Sequence, residues 1–338
     1  MWFSNCPTLG YRRPGMTDER NNLTMTPDEI FAALADYDYK LPEKALRAAE
    51  SMPETMRPLL LERLEQILSN FDSRSDEDEW LEFYSLFLLA EFKVEHVLAL
   101  LRPALDKSTQ SSEYFEFPDG ASKLFASWAF NNPSALKPFV DNDSYPEHIR
   151  SYALGAYIIL YLQHVVSADD MQPYLHELAY EKLVRRKNGP NSWLWFSWSE
   201  CCIVMGLSEF YPLIKKAFIE EWIDPMITDW EDMERDIAQG REHVLERARK
   251  EYGSPIEDVV ESLQGWHCFT EAARKEDMER ESRLSKTQSN TKRSSIESSP
   301  MENFIPIGTI VNTTPKSKPN QLCPCGSGKK YKKCCGRK

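Results

Sequence analysis

A chain of 338 residues is long enough for two domains or one extended repeat array. Its 41 % hydrophobic and 12 % aromatic content supplies a packed interior, which excludes a wholly disordered protein. Formal charge is −12 but unevenly spread: residues 315–338 hold eight basic side chains and no acid, leaving the first 314 residues at −20, a body that would repel DNA.

The opening MWFSNCPTLGYRRPG lacks an apolar run of seven or more, so it does not read as a secretory signal. Residues 1–24 are expected to be a disordered or mis-assigned tail, with Met1, Met16 and Met25 each open as the start. From TPDEIFAALADYD at 26–38 the pattern becomes helical. A Thr cap, Pro at the first helical position and two early acids form a strong start signal.

Apolar residues then recur at three and four spacing, as in MRPLLLERLEQIL and FYPLIKKAFIEEWI, while strand signals are missing. Four segments share one layout: FLLAEFKVEHVLALLRPAL (87–105), LFASWAFNNPSALKPFVDN (124–142), YIILYLQHVVSADDMQPYLHEL (157–178) and CCIVMGLSEFYPLIKKAFIEE (201–221). Each is an apolar helix with small residues, a short polar break, then an amphipathic helix. Such units cannot bury their faces alone, so neighbours must stack. The predicted fold over 25–275 is therefore all-α, a HEAT-like α-solenoid of paired helices. The uncharged run 151–168 contains Gln163 and His164 and is too short and polar for a membrane span.

Within this body the bland readings dominate. Cys201 and Cys202, adjacent in an apolar helix, read as buried small hydrophobes. WLWFSW (193–198) reads as core, with an exposed groove as the other reading. EEWIDPMITDWEDMERD (220–236) reads as a solvated helix face and, second, as a complementary docking surface. No histidine spacing matches a metal or catalytic motif, and no catalytic constellation is visible.

Beyond residue 276 the Ser-, Thr- and Lys-rich SRLSKTQSNTKRSSIESSP has the composition of a flexible linker, expected over 276–319 with an apolar island at 303–312. The chain then writes LCPCGSGKKYKKCCGRK, placing four of its eight cysteines within thirteen positions. Cys323, Cys325, Cys334 and Cys335 are four soft donors, the set a tetrahedral structural Zn²⁺ prefers. Gly326 and Gly328 permit the tight turn such a knuckle needs. Leu322 and Tyr331 are its sizeable apolar groups, too little core for a free-standing fold. Zinc contributes roughly 10–16 kcal/mol of apparent binding energy at neutral pH, enough to hold the module closed. GSGKK does not complete a phosphate-binding loop, because Lys330 stands where Ser or Thr is needed.

CPCGSGKKYKKCCG closely resembles the SEC-C motif, the small module that ends the preprotein translocase motor SecA and many bacterial proteins. The resemblance implies one structural zinc on Cys323, Cys325, Cys334 and Cys335 within a module at 320–338. Upstream, KPNQL keeps only Asn320 of the Gly-Arg-Asn-Asp-Pro that family members often carry. The body, from MTPDEIFAALADYDYKLP to PIGTIVN, is similar to the bacterial domain-of-unknown-function family numbered 1186, which implies no activity. The SEC-C resemblance further implies docking rather than catalysis, through contacts like those made to the acidic export chaperone SecB or to ribosome and lipid surfaces.

The expectation is thus a cytoplasmic, non-enzymatic adaptor. Its basic tail, with Lys329, Lys330, Lys332 and Lys333 at its centre, would dock a protein partner with an acidic surface, a SecB-like chaperone or a ribosome. Two alternatives stay open: an enzyme with its site in the helical groove, recruited by the tail, and RNA or ribosome binding through the tail.

Overall fold

The start signal at residue 26 closes as a capping box: Thr26 Oγ1 accepts from Glu29 N at 3.3 Å, and Glu29 Oε2 accepts from Thr26 N at 2.8 Å. It opens α1 (Pro27–Ala35) of the computed structural model, which describes residues 25–70, 73–108, 117, 120–184 and 192–280. The chain divides into two units, Met1–Arg280 and Glu281–Lys338, and the helical body belongs to the first. Of the linker expected over 276–319, residues 276–280 are helical and belong to the first unit, while 281–319, the 303–312 island, the cysteine module and residues 1–24 lie outside the described residues.

Next come α2 (Glu43–Glu50), α3 (Pro53–Ser69), α4 (Asp76–Glu91) and α5 (His96–Ser108). They are followed by α6 (Ala121–Trp128), α7 (Lys137–Asp141), α8 (Glu147–Leu162) and α9 (Ala168–Glu177). The order continues with α10 (Ser192–Met205), α11 (Tyr211–Ile219), α12 (Trp230–Ala238), α13 (Arg241–Tyr252) and α14 (Val259–Leu263). Ser75 with Asp78 and Ser167 with Asp170 repeat the capping box at α4 and α9. The protein is all-α, a HEAT-like solenoid, with no strand among the described residues.

Four helices form a central row: α4 packs on α6, α6 on α8 and α8 on α10. An outer row pairs with it: α3 lies on α4, α5 on α3 and α6, α7 on α8, and α9 and α11 on α10. Each predicted repeat straddles one turn from the central row to the outer row, so the four segments were in phase with the fold. The turns share a cause. After α4, Lys93 N donates to Ala90 O and Val94 N reaches back to Leu89 O, the Schellman pattern that satisfies the last carbonyls. The same pair recurs at His164 and Val165 after α8, at Gly206 and Leu207 after α10, and at Glu221 and Trp222 after α11. Lys93, His164, Gly206 and Glu221 all take positive φ, between 54° and 76°.

Residues 241–277 do not add another pair. They turn back over the central row in reverse order, as a strap. Arg241 reaches Tyr161 Oη and Ile203 O, at the ends of α8 and α10. Arg247 meets Glu200 of α10, and Ile256 N donates to Ser127 Oγ of α6 at 2.7 Å. Asp258 holds Arg47 of α2, and Trp266 packs edge-on to Phe83 and Phe87 of α4. Finally Tyr37 Oη donates to Cys268 O at 2.6 Å, and Tyr39 Oη to Asp277 Oδ2 at 3.1 Å. This second cover explains α10, where every residue from Leu194 to Met205 except Phe196 is buried. A helix clad on two sides has no polar stripe to show.

Candidate functional site

The residues singled out for chemistry, Cys323, Cys325, Cys334 and Cys335, and for docking, Lys329, Lys330, Lys332 and Lys333, lie outside the described residues. Among the described residues no group of three or more His, Cys, Asp or Glu side chains is arranged to hold a metal ion. Cys201 and Cys202 are fully buried, and burial pushes both thiols far above their usual range. They are packing groups, as expected.

WLWFSW divides by face. Trp195 and Trp198 are buried edge-to-face at 5.5 Å, and Trp198 Nε1 donates to Leu175 O at 2.9 Å. Trp193 stands 52 % exposed beside Phe196. The acidic segment 220–236 likewise turns its tryptophans to the body. Trp222 packs on Trp195 at 4.9 Å, and Trp230 lies under Lys215 and beside Phe218. Glu220, Glu221, Asp224, Asp229, Glu231, Asp232 and Glu234 all face water, flanking the exposed Ile219 and Met226.

The titratable groups that do converge sit beneath the strap or inside the helix rows, and they bind one another. Glu200, 2 % exposed, takes both of its contacts from Arg247 Nη2, at 2.9 and 3.2 Å. Arg247 also reaches Glu251 at 2.5 Å, and its Nε lies 2.8 Å from Asp236 Oδ2 but out of line for a hydrogen bond. Burial pushes the Glu200 carboxyl up and the guanidinium opposes it. On α4, Glu82 holds Arg74 at 2.9 Å while burial lifts it to about 7. Near the start of α4 an open depression of about 300 Å³ is lined by Arg63, Gln66, Asn70, Ser73, Arg74 and Asp78. Its two arginines are already paired with Asp78, Glu79 and Glu82.

Sequence reasoning passed over Glu82 and Glu200. A signal existed: each is a lone acid inside an apolar run, WLEFYSLFLL and WSECCIVM, where an unpaired carboxylate would be too costly to keep. Their partners were not readable, because Arg247 lies 47 residues from Glu200.

No helix among the described residues is long and apolar enough to cross a membrane. Residues 25–270 match the family described as protein of unknown function (DUF1186), and residues 320–337 match the SEC-C motif. Similar proteins include protein translocase subunit SecA 1 of Clostridioides difficile, 55 % identical over 40 residues, 12 % of this chain and 4 % of that one. A UPF0225 protein of Serratia proteamaculans is 68 % identical over 28 residues, 8 % of this chain and 18 % of its own. The SecA of Syntrophomonas wolfei is 31 % identical over 133 residues, 38 % of this chain and 15 % of that one. The chain thus spans less than a fifth of the length of these relatives. No solved structure matches.

Proposed function

Since the chain belongs to the DUF1186 family and carries a SEC-C motif, we propose that it is an adaptor whose helical body bears a zinc-stabilised basic module that docks an acidic protein surface. The observation that carries this reading is the SEC-C match over residues 320–337, which contains all four cysteines of the tail. The donor set fits the metal: four thiolates on Cys323, Cys325, Cys334 and Cys335 suit Zn²⁺, and the lysines among them favour thiolate over thiol. When bound, the zinc supplies shape rather than reactivity. Four thiolates and Zn²⁺ carry −2, so the eight basic side chains of 315–338 keep the tail near +6. Lys329, Lys330, Lys332 and Lys333 lie between the two cysteine pairs and would present that charge.

The partner follows from the charge: an acidic protein, with the SecB-like export chaperone as the class to test first. Reduced thiolates require a reducing compartment, which favours the cytoplasm. The body supports a scaffold, because Glu200, Glu82 and Asp258 are held in ion pairs with Arg247, Arg74 and Arg47 rather than aimed into an open cleft.

The test is metal analysis and binding on the same protein. The full chain is expected to carry one zinc, lost in the Cys323→Ser, Cys325→Ser double variant together with binding to purified SecB. Four metal-free, individually alkylatable thiols in native material would overturn the zinc and the docking together. Binding to RNA instead, with a steep log–log loss in salt, would move the tail to a phosphate partner.

A further inference from the structure

The strap is fastened near its middle by an unusual set of groups. Glu91, the last residue of α4, accepts from Val259 N through Oε2 at 2.9 Å. Across from it, Glu50 of α2 receives Arg47 Nη1 on Oε2 at 2.8 Å. The same guanidinium nitrogen holds Asp258 Oδ2 at 2.6 Å, just before α14. Glu50 Oε1 is buried and receives no donor, yet the side chains of Glu50 and Glu91 lie within hydrogen-bonding reach of each other. Two carboxylates cannot bond without a proton between them. Glu50 and Asp258 therefore share one guanidinium while Glu91 adds a third acid beside them, and Lys93, a cation that also feels Glu91, spends its ammonium on Ile256 O at 2.7 Å. Glu257 is the remaining charge close to that lysine.

We propose that this junction is a proton-operated latch: Glu91 carries a proton that it donates to Glu50 Oε1, and loss of that proton loosens residues 254–270 from α2 and α4. One oxygen of a neutral Glu91 accepts from Val259 while the other donates to Glu50, so every polar atom of the pair is satisfied. Burial and the adjacent Glu50 charge hold Glu91 at about 7, and burial also pushes Glu50 up. Ionisation would tighten the Val259 bond, but a single amide does not compensate for a second buried charge set beside the first. The sign follows. A carboxyl raised from its ordinary 4.5 to about 7 stabilises the closed latch fully below 4.5, and that contribution is lost as pH rises through 7. Lifting the strap would bare the aromatic faces of Phe83 and Phe87 that Trp266 covers.

The experiment is hydrogen–deuterium exchange of the full chain, with strap peptides corrected for intrinsic exchange rates. In the wild type, protection of 254–270 is expected to fall up to about tenfold per unit between pH 5 and 7 and to level off above. Glu91→Gln keeps both bonds, its amide donating to Glu50 and its carbonyl accepting from Val259, so its protection should stay flat across that range. Glu50→Gln, whose amide can donate to an ionised Glu91, should flatten the profile in the same way. His267, 3.2 Å from Glu276, is a further titratable group on the strap, and His267→Gln should retain the wild-type fall. Wild-type protection that is constant from pH 5 to 7.5 overturns the latch, whatever the variants do. A Glu91→Gln profile that repeats the wild-type fall also overturns it.

Discussion

Arg247 places one guanidinium nitrogen against both oxygens of Glu200, joining α13 to α10 through a carboxylate that is almost wholly buried. The arginine side chain keeps 19 % of its surface in water, so the pair is lopsided: Glu200 depends on Arg247 far more than the reverse. Arg247→Met is therefore expected to destabilise the body by about 3–5 kcal/mol, the cost of stranding a buried charge. Adding Glu200→Gln should recover part of that loss, because the stranded group is then neutral. Urea denaturation of the single and double variants checks both signs, and an Arg247→Met loss below about 1 kcal/mol would show that Glu200 does not need the pair.

The recurring turn offers an opposite pair of predictions. Gly206 adopts φ +76°, and a Cβ there would meet only the Arg241 guanidinium at an ordinary 3.5 Å, so strain alone is at stake. Gly206→Ala should cost about 1–2 kcal/mol. His164 performs the same turn after α8 with φ 60° and an exposed side chain. His164→Gly should stabilise by up to about 1 kcal/mol, since glycine relieves the left-handed strain. Thermal melts resolve the two directions, and equal signs for both variants would refute the shared-turn account.

These turns also mark where the sequence stops being legible. The helix starts were readable because Thr26, Ser75 and Ser167 each carry their partner three residues on, a local signal. The repeat phase was readable because apolar central helices and amphipathic outer ones alternate along the chain. The left-handed turns were legible at Gly206 and hidden at Lys93, His164 and Glu221, which hydrogen bonds force into a conformation their side chains disfavour. The strap was hidden altogether. α13 has the periodicity of another outer helix, and whether it pairs forward or folds back depends on contacts such as Ile256 with Ser127, 129 residues apart. The cysteine module is the reverse case: its zinc site is proposed from spacing and the SEC-C motif alone, because its residues lie outside the described ones.

Glu82 makes the body itself sensitive to pH. Burial lifts its carboxyl from an ordinary 4.5 to about 7 despite Arg74, with Asp78 and Glu79 adding to the rise. Stability supplied by the protonated form is fully present below 4.5 and is lost as pH rises through 7. The shift corresponds to at most about 3 kcal/mol. Glu82→Gln should flatten the dependence of global stability on pH between 5 and 7 relative to wild type. Denaturant midpoints at half-unit intervals read this directly, and parallel curves for variant and wild type would contradict it.

The strap's far end fixes the N-terminal helices through Tyr37. Its ring stacks on Trp80 at 4.0 Å, and its hydroxyl donates to Cys268 O on the strap. Tyr37→Phe keeps the stack and removes the bond, so it should cost about 1 kcal/mol. Trp266→Ala removes the ring that meets Phe83 and Phe87 and, being only half-buried, should cost about 2 kcal/mol, below the range for a fully enclosed tryptophan. If the strap is one cooperative element, the double variant should cost less than the two losses combined, since once the strap has lifted the second contact is no longer there to lose. Strict additivity would instead mean that residues 266 and 268 are held independently of one another. Exchange protection in α1 should fall with either variant, because Tyr37 follows directly on that helix.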